Sequence, residues 1–84
     1  MEQAVQKKED SLSSTTAQRL RDARLEKGLS MWELSRRAGI SQPQISLLER
    51  GKYQLKRKAG EKLAEALDVG VDWLVSGDER KRLY

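Results

Sequence analysis

Eighty-four residues, 36% charged and 37% hydrophobic, leave room for one small domain with a modest core. Seventeen lysines and arginines against 13 acids give a formal +4, mild support for a polyanionic partner. With neither cysteine nor histidine, the chain excludes a disulfide framework, a zinc finger, a thiol nucleophile and an imidazole base, so neither an enzyme nor a metal or cofactor is expected.

Residues 1–14 are polar and aperiodic, with two lysines against three acids, a net −1. They read as a disordered tail, or alternatively as an arm that orders on a partner. The opening Met1-Glu2-Gln3 lacks the basic-then-apolar layout of a secretory signal. No apolar run approaches the roughly 18 residues of a membrane span. A soluble, cytoplasmic chain is therefore expected.

Residues 15–77 carry the fold. Thr15 and Gln18 have capping-box spacing and open a first helix that runs to about Lys27 and stops at Gly28, with Leu20 and Ala23 inward and Arg24 beside them. Ser30 and Glu33 repeat the signal for a second helix ending at Ala38 before Gly39. Ser41 and Gln44 open a third, which runs through Ile45 and Leu48 to Arg50 and ends at Gly51. Pro43 falls in its first turn, where a missing N–H does no harm. A fourth helix is expected from about Lys56 to Leu67, with Gly60 inside it at a cost of about 1 kcal/mol relative to alanine. A short fifth runs from about Val71 to Val75, before Ser76 and Gly77, and residues 78–84 form a charged tail. No segment alternates like a strand. The fold class is all-α, a compact five-helix bundle.

On a wheel starting at Gln42, Ile45 and Leu48 fall at about 300° and 240°, the core side of the third helix. Ser46, Arg50, Pro43 and Leu47 fall between about 40° and 140°, opposite the core. An amide, a hydroxyl, a large apolar side chain and an arginine suit a DNA groove: glutamine pairs with adenine N6 and N7, and an apolar side chain meets a thymine methyl. The bland alternative is an ordinary surface with one scattered leucine. Arg50, Lys52, Lys56, Arg57 and Lys58 make a basic stretch without an acid, read either as a solvated loop or as a phosphate-contacting segment.

The run Leu29-Ser30-Met31-Trp32-Glu33-Leu34, then Ala38-Gly39-Ile40-Ser41-Gln42-Pro43-Gln44-Ile45-Ser46, then Leu48-Glu49-Arg50-Gly51 resembles the lambda and 434 repressor and Cro helix-turn-helix family (Xre-type). The likeness extends back to Arg24 and forward through Leu63-Ala64-Glu65-Ala66-Leu67 and Val71-Asp72-Trp73-Leu74. It implies a sequence-specific DNA-binding transcriptional regulator, a repressor, that binds a near-palindromic operator as a dimer with residues 42–50 in the major groove. It also implies that Gln42, Pro43, Ser46 and Leu47 face bases. Ser30, Met31, Ser41, Arg50, Lys52, Lys56, Arg57 and Lys58 would then hold the DNA backbone, and Arg24 would pair with Glu49. Met31 stands where many relatives carry a phosphate-clamping glutamine, and the connector before the fourth helix lacks their proline and capping hydroxyl. Trp73 is expected in the core. Trp32 is either a simple surface aromatic or part of a protein-contact surface, which leaves open an antitoxin or other protein-interaction module built on the same fold.

Overall fold

The computed structural model describes residues 15–77, and the expected terminal tails lie outside them. Five helices follow in order: α1 (Thr16–Glu26), α2 (Met31–Ala38), α3 (Gln42–Glu49), α4 (Arg57–Leu67) and α5 (Val71–Ser76). The capping signals account for the first three starts. Thr15, Ser30 and Ser41 are extended, and each side chain accepts from the backbone N–H three residues on. The full reciprocal box forms at Ser30–Glu33, whereas the Gln18 side chain turns instead to Asp22, 3.0 Å away. Lys56 caps α4 without a side-chain bond, in keeping with its missing hydroxyl. The helix ends differ from expectation by single residues: Lys27 and Arg50 are C-caps, Lys56 precedes α4, and α5 includes Ser76.

One core joins all five helices. Leu20, Leu34, Ile45, Leu63, Leu67 and Leu74 are its fully buried large side chains. Each contributes roughly 1.5–3 kcal/mol relative to exposure, and together they fix how α3 is presented. Helix α3 packs on α1 and α2, α4 on α2 and α5, and α5 on α1.

Two interior features went unread in the sequence. Gly60 is buried where α4 meets α5, and a Cβ there would stand 2.5 Å from Val75 Cγ2. The glycine is a packing requirement, so its propensity cost is offset by close approach. Arg19 is buried: its Nε donates to Leu74 O at 3.3 Å and its Nη2 to Thr16 Oγ1 at 3.0 Å. It thereby satisfies carbonyls at the end of α5, where helix-end dipoles favour a cation. Burial lowers its pKa from the ordinary arginine value. Its signal was its place one turn before Ala23, on the inward stripe of α1. Trp73 corrects the other way: it packs against the core from a half-buried position because Leu74 fills the interior.

Among the described residues, no helix is long and apolar enough to cross a membrane, and no cluster of acidic side chains could hold a metal ion.

Candidate nucleic-acid interface

Helix α3 is fixed at both ends. At its start, Ser41 Oγ accepts from Gln44 N–H at 3.2 Å. At its finish, Gly51 takes a left-handed φ of 74°, and the Lys52 N–H donates back to Leu47 O at 2.9 Å. Ile45 and Leu48 lock the inner face.

Arg24 supplies a third constraint. Its Nε and Nη2 donate to Glu49 Oε2 and Oε1 at 2.6 and 3.0 Å, a bidentate pair between α1 and the last residue of α3. Its Nη1 donates to Leu29 O at 2.9 Å, just before α2. One guanidinium thus ties the first helix to both helices of the helix-turn-helix. The side chains are 10% and 3% exposed. The bond to Glu49 raises the Arg24 pKa above its ordinary value against the opposing effect of burial, and the Glu49 charge adds to the rise.

The expected reading residues divide by exposure. Gln42 and Pro43 stand free at the N-terminal corner of α3, while Ser46 and Leu47 are half-buried. Leu47 is therefore less open than its wheel position implied. Gln44 is exposed.

The expected backbone-contacting residues also sort into groups. Arg50, Lys52, Lys56 and Lys58 are exposed and form no ion pair among the described residues. Arg57 differs, because its Nη1 donates to Asp72 Oδ1 at 2.9 Å and its Nε stands 3.6 Å from Glu61 Oε2. These contacts raise its pKa, the Asp72 hydrogen bond foremost. At the start of α2, the Ser30 N–H already donates to Glu33 Oε1 at 2.8 Å, so that donor is occupied. The same bond, with the Ser30 side chain, lowers the Glu33 pKa. Met31 is half-buried against the core, and Ser41 is exposed at the start of α3.

Beside α3, Lys56, Lys58 and Lys62 rim an open groove of about 560 Å³ over Ile40, Leu48 and Leu55. Lys62 was not among the residues singled out in the sequence. On α2, Trp32 is 56% exposed, with the Arg36 guanidinium 5.0 Å from its ring centroid.

A family model described as Helix-turn-helix matches residues 20–74. Among solved structures, the chain is similar to the master regulator for biofilm formation SinR in complex with DNA (33% identity, TM-score 0.70, covering 74% of this chain and 100% of that one). It is also similar to the restriction-modification controller protein C.AhdI from Aeromonas hydrophila (36% identity, TM-score 0.67, 70% and 89% covered). A third likeness is to the P22 c2 repressor in complex with a synthetic operator (26% identity, TM-score 0.72, 77% and 98% covered).

Proposed function

The chain belongs to the Cro/CI-type (Xre-type) helix-turn-helix family of DNA-binding regulators, and from that premise we propose that it is a cytoplasmic, sequence-specific repressor that binds a near-palindromic operator as a homodimer. Residues 15–77 form the DNA-binding unit. Gln42 and Pro43 read bases from the leading corner of α3, and Ser46 and Leu47 read them further along. Arg50, Lys52, Lys56 and Lys58 hold phosphates, with donors at the starts of α2 and α3 near Met31 and Ser41 adding to them.

The observation that carries this reading is the rigid mounting of α3. A helix fastened by its caps, its buried Ile45 and Leu48 and the Arg24–Glu49 pair holds its exposed polar corner in one orientation, which base-edge recognition requires. Selection from random double-stranded DNA tests it and should return one half-site sequence repeated about one helical turn away. Four phosphate-neutralising cations per subunit give a dimer slope of log K against log[salt] of about −7. No enriched sequence and a slope near zero for the folded protein would refute it.

The exposed Trp32 and its Arg36 neighbour favour a second reading, in which that face of α2 receives a protein partner. Obligatory co-purification of a second protein, without operator binding by the chain alone, would favour an antitoxin-like module.

A further inference from the structure

Helix α4 sorts its charges by face. Lys58 and Lys62, one turn apart, both line the groove beside α3. Arg57 and Glu61, also one turn apart, are rotated about 100° from them, and Arg57 reaches Asp72 in the first turn of α5. Arg57 thus stands among the cations of residues 50–58 yet is the member held by two carboxylates of its own chain. All three partners are more than half exposed, at 57%, 59% and 62% for Arg57, Glu61 and Asp72, so the contact is accessible to a competing anion.

We propose that Asp72 occupies on Arg57 the place a DNA phosphate would take, an autoinhibitory contact that holds the affinity for DNA below what the basic segment could reach. The proposal rests on the DNA-binding reading above. A phosphate oxygen and the Asp72 carboxylate offer Arg57 the same charge-assisted hydrogen bond, so one must leave for the other to bind. Exposed pairs of this kind are weak, so the exchange is cheap, and it lets the α4–α5 corner tune binding without any change in the reading face.

Three variants of the full chain, each checked for wild-type circular dichroism, test the exchange by operator binding across a salt series. Asp72→Asn keeps the size of the side chain and removes the charge. It should tighten binding by roughly 2- to 30-fold for a dimer, the span of one exposed pair per subunit. Its salt slope should steepen by about 1.8, for one extra phosphate contact in each subunit. Arg57→Ala alone should move the slope by less than about 0.5, because its charge is already engaged. Arg57→Ala combined with Asp72→Asn should abolish the gain. The proposal is overturned if Arg57→Ala alone flattens the slope by about 1.8, since Arg57 would then already hold phosphate. It is equally overturned if the Asp72→Asn gain survives without Arg57, which would mean simple repulsion of DNA by Asp72. A wild-type slope near zero would remove the DNA-binding reading itself, and this inference with it; a steep wild-type slope unaltered in Asp72→Asn removes only the inference.

Discussion

Arg24→Met leaves the Glu49 carboxylate without its partner in a site where only 3% of that side chain meets solvent. Breaking one member of a buried pair costs about 3–5 kcal/mol, and the 10% exposure of Arg24 argues for the lower end, about 3 kcal/mol. Part of that loss comes from Leu29 O, which also gives up its bond to Nη1. A domain of this size has a total stability of roughly 3–9 kcal/mol, so the variant should sit close to its unfolding limit. The melting temperature should fall by roughly 12–24 °C. Glu49→Gln is milder, about 1–2 kcal/mol, because an amide oxygen still accepts one bond. Replacing both residues, Arg24→Met with Glu49→Leu, should restore most of the loss, since two apolar side chains leave no buried charge unpaired. Urea unfolding of wild type, Arg24→Met, Glu49→Leu and the double variant, followed by tryptophan fluorescence and circular dichroism, yields the coupling directly. We expect about 2–3 kcal/mol. A coupling below about 0.5 kcal/mol would refute the argument that this pair fastens α3 to α1.

Gly60→Ala should destabilise by about 1–2 kcal/mol, because crowding against Val75 exceeds the helix-propensity gain. Adding Val75→Ala should recover part of that in thermal melts, and a more stable Gly60→Ala protein would contradict the close-approach reading. Glu33 has a folded pKa below its ordinary 4.5, so its stabilising effect is fully present above that value and lost as pH falls through the lower folded one. Glu33→Gln keeps a capping side chain without the charge and should flatten the acid limb of stability below pH 4.5; parallel acid limbs would count against the assignment. Gln42→Ala should relax an adenine preference by about 1–3 kcal/mol in operator variants at fixed salt. Leu47→Ala should weaken a thymine preference and do so less against uracil, and equal losses on specific and random DNA would remove both residues from base reading.

Much of the fold was legible because its punctuation is local. Ser30 with Glu33, Ser41 with Pro43 and Gln44, and the left-handed glycines 28, 39 and 51 act on backbone within three or four residues, so they mark helix ends without tertiary knowledge. The family pattern placed Arg24 and Glu49 together across 25 positions, which no local rule could do. What escaped depends on the approach of distant elements. Gly60 reads as a weak helix residue until α5 presses Val75 against it, and Arg19, though on the inward stripe of α1, has no visible partner until α5 ends over it. Arg57 belonged to a basic run in sequence, but Asp72 arrives from 15 positions away to engage it. The wheel also overstated the openness of Leu47, because an angle on one helix carries no information about how far the rest of the fold covers it.

The contact between α1 and α5 has a consequence for how the domain comes apart. Thr16 Oγ1 donates to Val75 O at 3.0 Å across 59 positions, and Arg19 reaches Leu74 across 55. Joining segments so far apart carries the largest chain-closure entropy in the domain unless the intervening helices have already drawn the ends together. Helix α5 has only six residues, too short to persist by itself. Undocking of α5 is expected to open the Arg19 seam while α2 and α3 stay packed through Leu34, Ile45 and Leu48, and faster amide exchange in α5 than in α2 and α3 would check it. Such an opening would be a partial one that spares the helix-turn-helix.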